Sequence, residues 1–297
     1  LLVVQRKKNI WSQNWEPLLT KLSAQRMGVR RQEQIPMKYE KNKLEYKDLN
    51  RLGDKLYLFS TYFNESKRTN YLFVSELSNR SFKPRRLMRL ADSRSDRDDL
   101  TPFYIRYSSD TSKVAIISNY NSRKETSELK LTLMDSNFNY IYEKIFDPKD
   151  LFSGQTLEQI EVSNAGEVFI LGKRPIGKST LDKSTVYSHH LLKINALGYP
   201  DTNFSPDLKK LGLDENEFRN FFITDFEFVL QDSVLLMGGL FSLTGGNSSK
   251  GTVFFKYMLS DFELKNAFFD YFDFEILTAQ LSDRGLRKAQ EAYEDVG

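Results

Sequence analysis

The chain contains no cysteine, which excludes disulfides, thiolate metal sites and a cysteine nucleophile together. It has two histidines, adjacent at His189 and His190. A histidine-built zinc site or a serine–histidine triad therefore has almost nothing to draw on. Neighbours on a strand face opposite ways, so these two cannot hold one metal side by side, and no G-x-S-x-G turn accompanies them. No run approaches the roughly 18 apolar residues that would cross a bilayer. The opening LLVVQRKKN places its charges after its apolar residues, the reverse of an export signal and the pattern expected of a mature or trimmed chain. No motif requires a cofactor, and none is expected.

What is present is ample material for a core: 40% hydrophobic and 13% aromatic residues in 297. The formal net charge of +3 hides a gradient. Residues 1–100 carry 22 Lys and Arg against 12 Asp and Glu, and the remainder 21 against 28. This reads as solvated outer strands rather than the focused patch of a nucleic-acid footprint.

The clearest pattern lies between Tyr104 and Phe146, where two alternating hairpins follow in tandem with polar turns at Ser108–Ser112 and Asp135–Asn137. Alternation at period two marks half-buried strands. The same unit recurs along the chain. Its second-hairpin turns begin at Ser23, Ser78, Asp135, Asn195 and Ser260, spacings of 55, 57, 60 and 65. An apolar residue follows each: Met27, Phe82, Phe138, Leu197 and Phe262. First-hairpin turns, marked by Lys55, Lys113, Glu167 and Ser233, step by 58, 54 and 66.

Four short strands repeating at this interval predict an all-β chain, a β-propeller of four-stranded antiparallel blades, since one such sheet cannot bury both faces alone. The repeats fall at about residues 1–36, 50–90, 101–147, 158–205 and 221–277 of a single domain spanning 1–297, with 37–50 a polar connector. Five second hairpins but four complete first hairpins give four to five blades and suggest a piece of a larger propeller. A β-sandwich pair or an open solenoid would use the same strands. Two stretches break the pattern: Asp214–Phe222 opens with a capping-box-like D-E-N-E. Residues 281–294 form a helical segment with Ser282 as N-cap and Leu286, Ala289 and Tyr293 on one face.

The segments KLYLFSTYFNESKRTNYLFVSEL, SSDTSKVAIISNY, MDSNFNYIYEKIF and FDYFDFEILTAQLSDRGLRKAQEA resemble a family of uncharacterised, propeller-like envelope proteins of Bacteroidetes bacteria, over most of residues 50–297. The resemblance implies an exported protein of the periplasm or outer-membrane surface, with a chain continuing past the helix. It supplies no catalytic residue.

The sharpest motif, GKRPIGKS at Gly172 to Ser179, fits the phosphate-cradling P-loop expression. A P-loop must open directly into a helix, whereas STLDKSTVYSHHLLKIN follows, β-branched and then alternating, so the stretch reads as a basic connector between hairpins. Carboxylates are the only plausible catalytic stock. Asp225 and Glu227 share a strand face, as do Asp273 and Glu275, among aromatics. Paired acids beside aromatic platforms are the equipment of glycoside hydrolysis, and outward acidic strands produce the same pattern. Asp92 to Asp99 lacks the Gly and terminal Glu of a calcium loop, and Gly238–Gly239 reads as a tight turn or close strand approach. The basic run Lys83, Arg85, Arg86 and Arg89 would suit an anionic partner such as lipopolysaccharide, nucleic acid or an acidic protein surface.

The function expected from sequence is a non-catalytic binding or scaffold propeller of the cell envelope, gripping a protein partner, not nucleic acid, through blade-edge loops. Membrane association would come through a partner or a missing anchor rather than a spanning segment. The alternative is a carbohydrate-active propeller using the paired carboxylates.

Overall fold

A computed structural model describes residues 2–8, 15–23, 28–39, 42–78, 80–94, 103–121, 128–146, 156–179, 183–198, 200–204, 208–213, 221–231, 233–243, 249–261, 263–273, 275, 278 and 282–294. The alternating hairpins form antiparallel sheets that follow one another along the chain, each strand bonded to its sequence neighbour. The first sheet has three strands, β1 (Leu2–Lys8), β2 (Trp15–Leu22) and β3 (Val29–Gln34). A two-stranded ribbon, β4 (Lys38–Tyr39) and β5 (Asn42–Lys43), leads to four sheets of four strands. These are β6 (Glu45–Leu52), β7 (Lys55–Asn64), β8 (Thr69–Leu77) and β9 (Pro84–Arg94), then β10 (Phe103–Tyr107), β11 (Lys113–Asn121), β12 (Glu128–Asp135) and β13 (Tyr140–Phe146). The fourth holds β14 (Thr156–Val162), β15 (Val168–Lys178), β16 (Thr185–Ile194) and β17 (Pro200–Phe204). The fifth holds β18 (Phe222–Gln231), β19 (Val234–Ser242), β20 (Gly251–Met258) and β21 (Leu264–Tyr271). Four-stranded sheets in this serial order are the blades of a β-propeller.

Two expectations are corrected. Residues 37–50 are not a bare polar connector: they hold the ribbon and most of β6, whose polar EYKDLNRL pairs with β7 from Glu45↔Thr61 to Leu52↔Lys55. Gly172 to Lys178 is not a loop either, since β15 runs through it. A strand in place of a helix N-terminus removes any basis for a phosphate cradle. Leu197, the apolar residue just beyond Asn195 in the fourth second-hairpin turn, is 76% exposed. There the left-handed turn residue is Gly198 (φ 79), which lies against the Tyr142 ring. The terminal helix is present as α1 (Asp283–Glu294), started by Ser282, whose carbonyl accepts from Leu286 N at 2.8 Å. The helix expected at 214–222 falls almost entirely outside the described residues.

Packing divides the chain into two compact units, Leu1–Ser153 with Ile160–Phe169 and Lys193–Asp201, and Gly154–Gln159 with Ile170–Leu192 and Thr202–Gly297. In the first, one core joins sheets one and two through Leu19, Leu58, Phe73 and Phe82. A second joins sheets two and three through Phe59, Leu72, Val74, Phe103 and Ile116. β7 and β11 accordingly read as continuous buried runs, Leu56–Ser60 and Val114–Ser118, because each lies in a sheet covered on both faces. Polar latches tie adjacent blades: Tyr107 donates its hydroxyl to Asp48 Oδ2 at 2.7 Å, Gly53 N to Thr111 Oγ1 at 3.2 Å, and Asp110 N to Asn164 Oδ1 at 3.1 Å.

In the second unit Gln159 closes both backbone groups of Phe228, donating to its carbonyl at 2.7 Å and accepting from its N–H at 2.8 Å. Here β18 and β20 alternate, with Phe226, Phe228, Val253 and Phe255 buried and Asp225, Glu227, Phe254 and Lys256 exposed. That is the pattern of a sheet with one covered face.

Candidate ligand cleft

The hairpin turns at Gly53–Asp54 and Ser78–Phe82 lie at one end of blade two, because β6–β7 and β8–β9 turn at the same edge. Each is built from local chemistry. Gly53 adopts φ 56, open to glycine without strain; Ser78 takes Phe82 N onto its carbonyl at 2.7 Å. In blade three Asp135 Oδ1 accepts from Asn137 N at 2.8 Å and Asn139 N at 2.9 Å, an Asx turn. This turn holds Phe138 at φ 64. Its ring then meets Tyr57 edge-on at 4.9 Å and Phe59 at 5.9 Å, stapling the turn of blade three onto blade two.

Between the staple and strand β9 lies a cleft of about 290 Å³, lined by Tyr57, Val74, Met88 and Phe138 on its apolar side and by Lys55, Glu76, Arg86, Asn137 and Asn139. A second hollow of about 320 Å³ adjoins it, sharing Lys55 and Glu76 and adding Arg80 and Arg85. A β-bulge brings the cations here. Glu76 pairs with Arg85 and Ser75 with Leu87, leaving Arg86 as the extra residue. Arg86 sits at φ 36, a left-handed conformation uncommon for a non-glycine residue and typical of constrained functional positions.

The bulge is a recurring device: Arg30, Ile141 and Lys265 are the extra residues at the corresponding places in sheets one, three and five. In blade two it sets two arginines, Arg85 and Arg86, beside these hollows. Lys55 Nζ meets Glu76 Oε2 at 3.5 Å, both side chains partly exposed. No ion pair among the described residues engages Arg85 or Arg86. Burial pushes the Tyr57 phenol up, partly offset by the charge of Lys55.

Of the four basic residues expected to act together, the structure joins Arg85 and Arg86. Lys83 is exposed in the adjoining turn, its carbonyl accepting from Ser78 N at 3.1 Å. Arg89 diverges: it pairs with Phe73 and stacks over the Tyr71 ring at 5.3 Å, on the opposite face from Met88. Lys55, Glu76, Arg80 and Phe138 complete the cleft from other strands and turns; of these the repeat marks Lys55 and Phe138.

The carboxylates do not converge. Asp225 and Glu227 are exposed on β18; Asp273 and Glu275 are exposed beyond β21. β19 and β20 lie between these strands, so three strand spacings, about 14 Å, separate the two edges. Phe226 and Phe228 point away from the acids and are buried, 4% and 1% exposed. Among the described residues these four acids do not face the aromatic-lined pocket that glycoside hydrolysis needs, and the carbohydrate-active alternative loses this support.

Gly238 and Gly239 mark close strand approach on β19. A Cβ on Gly239 would collide with the Asp225 carbonyl, and one on Gly238 would lie 3.1 Å from the Phe254 ring. Gly245–Gly246 and most of Asp92–Asp99 lie outside the described residues. His189 is buried, 5% exposed, against Phe226 at 5.4 Å. Burial, then the charge of Lys173, lowers its imidazole to about 4. His190 turns the other way, to Ser188 Oγ at 3.0 Å. Among the described residues no group of three metal-type ligands forms, and no helix is long and apolar enough to cross a membrane.

No protein-family model matches the chain, and no curated protein matches it. Solved structures do. The chain is similar to the β-propeller domain of the Trilobed protease from Pyrococcus furiosus, at 11% identity and a TM-score of 0.45, over 89% of this chain and 65% of that one. It is also similar to the acylaminoacyl peptidase of Pyrococcus horikoshii, at 10% identity and 0.42, over 78% and 33%. Prolyl oligopeptidase B from Galerina marginata gives 14% and 0.48, over 92% and 33%. This chain thus spans under two thirds of the first and about a third of the other two. These three are a protease and two peptidases, where the sequence had led us to expect a non-catalytic scaffold. At such identities the likeness concerns the fold alone and transfers no substrate and no residue role.

Proposed function

We propose that this chain is the ligand-selecting propeller of a hydrolase-type protein and that the cleft of blade two holds an acidic, carboxylate-bearing segment of polypeptide. The observation that carries the recognition role is the bulge that sets Arg85 and Arg86 side by side next to Lys55, above an apolar floor of Tyr57, Met88 and Phe138. The hydrolase-type setting takes up the names of the solved structures and assigns no residue. Guanidinium groups take carboxylates in paired hydrogen bonds, and the floor accepts apolar side chains of the same segment. Two amides, Asn137 and Asn139, lie within reach of its backbone. The mixed lining supports an extended polypeptide over a nucleic acid, whose recognition calls for a wider basic stripe.

The test is fluorescence anisotropy with a labelled peptide of alternating aspartate and phenylalanine. Replacing both Arg85 and Arg86 by Ala removes two exposed charge contacts and is expected to weaken binding about tenfold; replacing the exposed Lys178, which lines neither hollow, is expected to leave it unchanged. Equal affinity in all three proteins would rule out the cleft as the site.

A further inference from the structure

Glu76 is the anomaly of this basic cleft. It stands opposite Arg85 in the β8–β9 register and opposite Tyr57 in the β7–β8 register. Its carboxylate holds Lys55 at 3.5 Å and borders both hollows. The cleft thus carries its own anion at its centre, in the position where a ligand carboxylate would find the most positive surroundings. The side chains of Lys55 and Glu76 are 50% and 35% exposed, so solvent screens the pair and a ligand can break it at modest cost.

We propose that Glu76 is the specificity-determining residue of the cleft: an internal carboxylate that competes with the ligand, so that segments with clustered acids are held and singly charged ones are not. This rests on the acidic-polypeptide reading given above. The argument is one of exchange. A lone carboxylate meets Glu76 either way: on Lys55 it must displace that anion, and on Arg85, opposite Glu76 in the β8–β9 register, it stands beside it, so repulsion offsets the single contact. A run of acids engages Arg85, Arg86 and Lys55 together, and among the described residues the two arginines have no ion pair to surrender. Specificity here comes from a built-in repulsive group as much as from the attractive ones.

The experiment titrates the full chain with two fluorescein-labelled peptides of glycine and serine, one bearing a single glutamate and the other three in succession. Wild type is expected to bind the three-glutamate peptide at least about tenfold more tightly. In Glu76→Gln the single-glutamate peptide is expected to gain about fivefold, the worth of one exposed pair, narrowing the ratio. Glu76→Ser supplies the same comparison should the glutamine variant unfold. If the variants leave the ratio unchanged while wild type still binds the three-glutamate peptide in an Arg85-dependent way, selection by Glu76 is wrong and the cleft reading stands. If neither peptide binds wild type, the cleft reading itself fails.

Discussion

Acid should loosen the second unit through one side chain, His189. In the unfolded chain its imidazole titrates at 6.5; in the fold, burial first and the Lys173 ammonium second bring it to about 4. Glu158, paired with Lys173 at 3.0 Å, and Asp225 pull weakly the other way, and His190 adds to the lowering. Between pH 6.5 and 4 the unfolded state therefore binds more protons, and stability falls as pH falls. The contribution is complete above 6.5, and its loss levels off below about 4. At about 1.4 kcal/mol per pH unit, the gap caps the loss at about 3 kcal/mol, of which about 2.5 is gone by pH 4.5.

Urea unfolding of wild type and His189→Gln at pH 7.5, 6 and 4.5 reads this directly. The glutamine cannot titrate, so the stability difference between the two proteins should shift by 2–3 kcal/mol in favour of the variant as pH drops. His190 is common to both and subtracts. Asp110 and Asp135 also subtract: against the desolvating effect of burial, hydrogen bonds from Ser108, Ser112, Asn137 and Asn139 hold their carboxyls below the usual range, so they titrate below this window. A difference that stays constant from pH 7.5 to 4.5 would refute the burial argument.

Three further outcomes follow from the packing. Gly239→Ala should destabilise by about 3 kcal/mol or more in urea titration, because its Cβ would meet the Asp225 carbonyl and the Phe226 ring, neither of which can withdraw without breaking β18. Tyr107→Phe should cost about 1–3 kcal/mol by leaving the Asp48 carboxylate short of its 2.7 Å donor, whereas Tyr140→Phe, on an exposed residue, should be silent. Phe138→Ala should cost about 1–3 kcal/mol and weaken acidic-peptide binding, since the ring is both the staple onto Tyr57 and part of the floor.

The beat of the blades was legible because turn chemistry is local. Ser78, Asp135 and Asn195 mark their turns through bonds to atoms a few residues away, and β-alternation needs only the neighbouring positions. Strand β6 was missed because its polar residues serve other blades: Asp48, read as loop, is there to receive Tyr107, 59 residues on. Gly172–Lys178 was misread because Gly and Pro signal a break, yet the strand passes through them at an exposed stretch.

The basic run was visible, but its sorting was not. One unpaired residue, Arg86, reverses the alternation, throwing Arg89 to the far face and setting Arg85 beside Arg86. In KPRRLMRLADSR the alternation is too weak for that phase shift to show. Glu76 and Lys55 are 21 residues apart and meet only across the β7–β8 pair. The carboxylates failed for the opposite reason: alternation that puts two acids on one face necessarily puts Phe226 and Phe228 on the other.

The most direct test of the account is to map where an acidic polypeptide lands. The alternating aspartate–phenylalanine peptide, carrying a photoreactive group in place of one ring, should crosslink to the floor of the blade-two cleft, at Tyr57, Met88 or Phe138, and lose that product in high salt. Labelling confined to the exposed face of β18–β21, around Phe254 and Phe268, would contradict it.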